Sequence, residues 1–149
     1  FTIDEYQLHQ AKAFGADAVL LIAAAISEKE CRRLARMAHE LGLETLLEIH
    51  NEDEISYLCD DIDVVGVNNR HLGTFRTDLE ASEFLARKLP QSITRISESG
   101  IKSAADIVRL QMLGYRGFLI GELFMSGENP AENLRRLNAE IDKLITTGI

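Results

Sequence analysis

Short apolar runs alternate along this chain with stretches whose apolar residues recur at helical spacing. The runs ADAVLLIAAAI (16–26), TLLEI (45–49), VVGV (64–67), ITRIS (93–97) and GFLIG (117–121) are each long enough for one buried strand. The first is apolar from Ala18 onward, which suits a strand covered on both faces. DEYQLHQAKAF (4–14) reads as a helix, with Asp4 as its cap, Gln7 completing a capping-box spacing and Gly15 ending it. Ser27 and Glu30 open the next helix in the same way; Cys31, Leu34, Ala35, Ala38 and Leu41 form its apolar stripe and Gly42 its stop. Asn51 and Glu54 repeat the capping pattern, with Ile55 and Leu58 facing inward. LEASEFLARKL (79–89) is a helix closed by Pro90. Ser103 with Asp106 opens another, with Ile107, Leu110 and Leu113 on one face and Gly114 after it. Asn129 and Pro130 start the last helix, whose stripe is Leu134, Leu137, Ile141 and Leu144.

Five strands and six helices in strict alternation imply a parallel sheet with right-handed crossovers. The linkers are short throughout, so residues 1–149 read as one domain. Two architectures fit: an open, doubly wound five-stranded sheet, or part of a (β/α)8 barrel. A complete barrel takes about 250 residues, and strands left at its open ends would present unpaired edges.

Composition and charge act mainly by exclusion. The net charge of −8 and the lack of any basic run argue against nucleic acid as a partner. An anionic substrate would then need a local electropositive site. No run is long and apolar enough for a membrane span, and residues 1–11 do not form a signal peptide, so the expected location is cytoplasmic. Cys31 and Cys59 both fall in helix-like segments and read as free, buried thiols. His9, His50 and His71 lack metal-ligand spacing and His39 lies on a helix, so the histidines read as solvated or structural. No dinucleotide fingerprint or Walker-type phosphate loop is present, and neither a metal nor a cofactor is expected.

Polar groups gather at the carboxyl ends of the strands, where barrel enzymes place their chemistry. Glu48 interrupts LLEI, on the same side of its strand as Leu46. Desolvation there would raise its pKa and suit it to general acid or base work; the alternative is a carboxylate salt-bridged to a neighbouring strand. Asn68, Asn69 and Arg70 follow the next strand. An amide and a guanidinium there suit a carboxylate or hydroxyl ligand, and equally suit turn capping with a solvated arginine. In SESG (97–100), Ser99 can hydrogen-bond a hydroxyl, Glu98 is a second carboxylate, and Gly100 lets backbone N–H groups approach an anion. Gly121, before Glu122, places a second glycine turn on the adjacent strand, the pairing that often binds phosphate in barrels.

The runs FTIDEYQ, GADAVLLIAA, LLEIHNEDE, VGVNNRHL, SESGI and GFLIGELFM, in this order and over nearly the whole chain, resemble indole-3-glycerol-phosphate synthase, the ring-closing enzyme of tryptophan biosynthesis. The resemblance implies a partial TIM (β/α)8 barrel holding the last five parallel strands and six helices. It implies a carboxy-lyase that converts 1-(2-carboxyphenylamino)-1-deoxyribulose 5-phosphate to indole-3-glycerol phosphate, with loss of carbon dioxide and water. By the same resemblance Glu48 is the catalytic carboxylate, the base in dehydration. Asn68 and Arg70 stand near the substrate hydroxyls and the anthranilate carboxylate, and Glu98 and Ser99 line that pocket. Gly100, Gly121 and the backbone N–H of Glu122 correspond to the phosphate site, while Phe1, Leu20 and Leu119 would wall the aromatic ring. The family's third strand ends in a Lys-Asp-Phe run whose lysine is the general acid, and Phe1 corresponds to that phenylalanine. The expectation is a C-terminal portion, inactive alone, whose partners are a phosphorylated small molecule and the missing N-terminal part of the same barrel. Two other readings stay open. A phosphoribosylanthranilate isomerase relative shares the twin glycine turns, though not LLEIHNE together with VNNR; a non-catalytic open-sheet α/β module fits the strand count.

Overall fold

The computed structural model describes residues 1–70, 77–126 and 128–147. Its strands are β1 (Ala18–Ile22), β2 (Glu44–Ile49), β3 (Val64–Asn68), β4 (Thr94–Glu98) and β5 (Gly117–Leu119). The helices are α1 (Glu5–Ala13), α2 (Glu28–Glu40), α3 (Glu80–Leu85), α4 (Ala104–Met112), α5 (Glu122–Met125) and α6 (Pro130–Thr147). All neighbouring strands are parallel, and the sheet order is β1-β2-β3-β4-β5.

That order separates the two architectures. Right-handed crossovers that always step in the same direction put every connecting helix on one side of the sheet. A doubly wound sheet reverses its order at a switch point and carries helices on both faces. The consecutive order is that of a barrel sector. Burial follows the pleat: Val19 and Leu21, Thr45, Leu47 and Ile49, Val65 and Val67, and Arg95 and Ser97 are buried. Leu20, Leu46, Val64 and Ile96, on the opposite face, are only partly so. The helices meet the first face with Leu8 of α1, Leu34 and Ala38 of α2, Leu85 of α3 and Leu110 of α4, all buried.

The helix starts follow their caps. Asp4 with Gln7 and Ser27 with Glu30 both close reciprocal capping boxes, and Ser103 accepts from the backbone N–H of Asp106. Several boundaries differ from the sequence pattern; α3 ends at Leu85 rather than running on to Leu89. The run 16–26 is strand only to Ile22, after which Ala23–Ala25 form a 3-10 turn. The segment after Asn51 is a 3-10 helix (Glu52–Tyr57), and its capping box does not form. Asn51 accepts from Asp53 N–H, while the Glu54 carboxylate turns back to the backbone N–H of His50 at 2.6 Å. β5 stops at Leu119, and Glu122–Met125 make a short helix that the alternation does not announce. Cys31 is buried in α2, half-buried Cys59 lies beyond the 3-10 helix, and both are free thiols.

Candidate active site

Parallel register stacks the strand ends into two layers. Ile22, Glu48, Gly66, Ile96 and Gly117 are successive partners, and Asn68, Glu98 and Leu119 form the layer above them. Alternation along each strand then sends the Glu48, Asn68 and Glu98 side chains to the same face, the one opposite the helices. Glu48 is 7% and Glu98 6% exposed.

Gly66 lets the two carboxylates approach. A Cβ built on Gly66 would lie 1.8 Å from Glu98 Oε1, so the Glu98 side chain lies across β3 in space that only glycine leaves open. Asn68 Nδ2 donates to Glu48 Oε1 at 3.0 Å, and His50 Nε2 is 3.3 Å from the same oxygen. Burial works to raise the pKa of Glu48, but the His50 ring and the Asn68 amide outweigh it and hold that carboxyl below its ordinary value. Burial, then the neighbouring Glu48 charge, pushes Glu98 up to about 8, and Glu98 Oε1 has no hydrogen-bond partner among the described residues. At neutral pH the pair therefore holds one proton, on Glu98. The raised pKa that burial suggested for Glu48 falls on Glu98 instead, since Glu48 has a cation beside it and Glu98 has an anion.

Asn69 holds the end of β4. It is 1% exposed, and its Nδ2 donates to Ser97 Oγ, to the Glu98 carbonyl and to the Ser99 carbonyl at 3.0–3.1 Å. Its Oδ1 accepts from the Ser82 N–H of α3 at 3.1 Å. Ser82 Oγ lies 2.7 Å from Ser97 Oγ, and Tyr115 donates its hydroxyl to the Ser82 carbonyl. This network fixes a turn in which Ser99 (φ 63) and Gly100 (φ 72) are both left-handed; for serine that conformation is strained. Asn69 caps the turn after β4, and Asn68 does both jobs: its Oδ1 accepts the Arg70 backbone N–H at 3.0 Å while its Nδ2 faces the acidic pair.

Beside this turn is a cleft of about 590 Å³ lined by Arg70, Glu98, Ser99, Gly100, Leu119, Gly121 and Glu122, all singled out in the sequence. Lys102 lines it too, a cation two residues beyond Gly100 that the sequence reading passed over. Asn68 and Arg70 border an adjoining recess of about 270 Å³ with His50 and Glu54. Phe1, 87% exposed, and Leu20 are not among the cleft's lining residues; at the β1 edge the N–H of Thr2, next to Phe1, donates to the Leu20 carbonyl.

The histidines divide. His9 is exposed and His39 pairs with Asp63 on the helix side, in keeping with the plain reading. His50 is not solvated: its ring is buried between Glu48 and Glu54. The signal available in sequence was its position two residues after Glu48 and four before Glu54. His71 lies outside the described residues. Among those residues no cluster of His, Cys, Asp and Glu could hold a metal ion, and no helix is long and apolar enough to cross a membrane.

The chain matches the model of the family "Indole-3-glycerol phosphate synthase" over residues 1–137. Relatives of that name include one from Bacteroides thetaiotaomicron, 57% identical over 135 residues, covering 91% of this chain and 52% of that protein. Another, from Koribacter versatilis, is 44% identical over 138 residues, covering 92% of this chain and 53% of that protein. The chain thus spans about half the length of the curated relatives it matches. Among solved structures it is similar to 3-hexulose-6-phosphate synthase from Salmonella typhimurium, with a TM-score of 0.75 at 15% identity, covering 95% of this chain and 70% of that one. It is also similar to a mutant tryptophan synthase α-subunit from Pyrococcus furiosus, with a TM-score of 0.68 at 20% identity, covering 93% of this chain and 60% of that one. These are TIM-barrel enzymes, and at such identities the likeness shows the fold alone.

Proposed function

The chain belongs to the indole-3-glycerol phosphate synthase family, and on that premise we propose that it supplies one side of the active site that makes indole-3-glycerol phosphate from 1-(2-carboxyphenylamino)-1-deoxyribulose 5-phosphate. The observation that carries the reading is the Glu48–Glu98 pair, two buried carboxyls of opposite protonation preference beside a cleft with two glycine turns.

Glu48 is the base of the dehydration step. Being ionised, it can take the proton that the substrate loses in this step. Glu98 holds a proton in the resting site and can hydrogen-bond a substrate hydroxyl and give it the proton with which it departs as water, with Ser99 beside it. Asn68 orients Glu48 and meets the hydroxyls, and Arg70 takes the anthranilate carboxylate in a charge-assisted contact. The phosphate lies on the backbone N–H groups of Gly100, Gly121 and Glu122. With an overall charge of −8, that anion depends on such local donors, and Lys102 on the same cleft adds to them. Phe1, Leu20 and Leu119 wall the aromatic ring once a complete barrel brings the edges of this sheet round. The acid of ring closure is the family's lysine, assigned to the half of the barrel that the relatives carry besides these five strands. Residues 1–149 form one domain of that barrel, in a protein of the cytoplasm.

The test is direct. The intact enzyme is given the carboxyphenylamino-deoxyribulose phosphate, and indole fluorescence and carbon dioxide release are followed together. Equal amounts of both are expected, and a lack of indole product overturns the reading.

A further inference from the structure

The acidic pair leaves one buried ionisable group of the same site without a role. His50 follows β2 with its ring between two carboxylates: Nε2 is 3.3 Å from Glu48 Oε1, and Nδ1 is 3.5 Å from Glu54 Oε2. All three side chains are nearly buried, at 11%, 10% and 13% exposure. Neither ring nitrogen meets hydrogen-bond angles, so the contacts are electrostatic. Glu54 is itself anchored, because the same Oε2 accepts the backbone N–H of His50 at 2.6 Å. That bond diverts Glu54 from the capping box its spacing with Asn51 announces, and so places its charge on the histidine.

Two neighbours of Glu48 act on one oxygen. Asn68 Nδ2 and His50 Nε2 converge on Oε1, which fixes the carboxylate's last torsion and turns Oε2 away from both; the third neighbour, Glu98, also hydrogen-bonds Glu48. A neutral amide orients a carboxylate and favours its ionised form through the hydrogen bond; a cation adds charge attraction to that, next to a second acid.

We infer that His50, braced by Glu54, is a positioning residue that keeps Glu48 ionised and presents Oε2 to the substrate. The inference deepens the proposed function and rests on Glu48 being its base. The charges around the ring support it. Glu48 faces it from β2, Glu54 from the 3-10 helix and Glu98 from β4, and Arg70 lines the recess after β3; α3 adds only Ala81 there. The Glu48 and Glu54 carboxylates push the imidazole up to about 9 against the effect of its burial, so the ring is charged at neutral pH.

Tests use the intact enzyme. His50→Ala is expected to lower kcat about tenfold or more, with KM changed less than about threefold, because the lost contact serves the reacting state rather than binding. The acid limb of its kcat profile should move up by about one pH unit as Glu48 loses its cation. His50→Gln restores a donor without charge: part of kcat returns and the limb stays displaced. Glu54→Gln leaves the ring charged throughout the acid range, so its limb should not share the upward displacement of His50→Ala. Independently of turnover, an NMR titration should show the His50 ring charged well above the ordinary imidazole range of ~6.5, and less so in Glu54→Gln. An unmoved acid limb in His50→Ala, a loss confined to KM, or a ring titrating in the ordinary range overturns the inference. Absent wild-type turnover with a high-titrating His50 would instead overturn the functional reading alone.

Discussion

Glu98 is a carboxylic acid held in a site suited to its neutral form. Its ordinary pKa of 4.5 is pushed to about 8 by burial and by Glu48. Because the folded value is the higher one, the stability tied to this proton is fully present below about 4.5 and is lost as pH rises through about 8. His50 acts with the same sign: its ion pairs stabilise below the ordinary imidazole value of 6.5 and fade as pH rises through about 9. The urea midpoint of the protein should therefore fall on the alkaline side, and Glu98→Gln, a neutral group of the same shape, should flatten the fall between about pH 5 and 8. An unchanged slope in that variant would show that Glu98 ionises normally. Glu48→Gln should cost the intact enzyme about 100-fold or more in kcat with little change in KM, read from steady-state kinetics, since the amide keeps the shape and loses the base. The carboxylates themselves could be picked out in sequence, because charge in an apolar run is costly. Which of them keeps the proton could not, since that depends on neighbours from other strands.

Elements hold these groups through two contacts. At Gly66 a methyl group would collide with Glu98, so Gly66→Ala should destabilise the fold by roughly 1–3 kcal/mol in urea unfolding. In a Glu98→Ala background most of that cost should vanish, and an undiminished cost would place the clash on Leu46 Cδ1, 3.3 Å from the same point. Asn69 ties β3, the left-handed turn after β4 and the start of α3 together with hydrogen bonds on both ends of its amide. Asn69→Leu strands several buried polar groups and should cost about 2–4 kcal/mol, measured in the same way. The capping boxes of α1 and α2 were legible because both partners lie within one turn. The box at Asn51 failed although its spacing was right, because the His50 backbone N–H takes the Glu54 carboxylate. Nothing in the strand VVGV showed why its glycine was needed; the reason is a side chain from β4.

At the scale of the molecule, five parallel strands in consecutive order present one face to the helices and leave the other, with Leu20, Leu46 and Ile96 around the buried acidic pair, only partly covered by this chain. In the proposed barrel the remaining strands close over that face. This chain by itself should then release no indole product, and mixing it with the other half of the barrel should restore turnover; product from the chain alone would refute the shared site. What the sequence determined by itself is local: strand and helix periods, caps within a turn, and the kinds of polar group that end each strand. These follow from interactions spanning a few residues. Only the tertiary structure decided the direction of strand order, the space Gly66 leaves for Glu98, the ion pairs of His50 and the proton on Glu98. Each depends on a distance between strands far apart in sequence, and in a buried site such distances set the electrostatics.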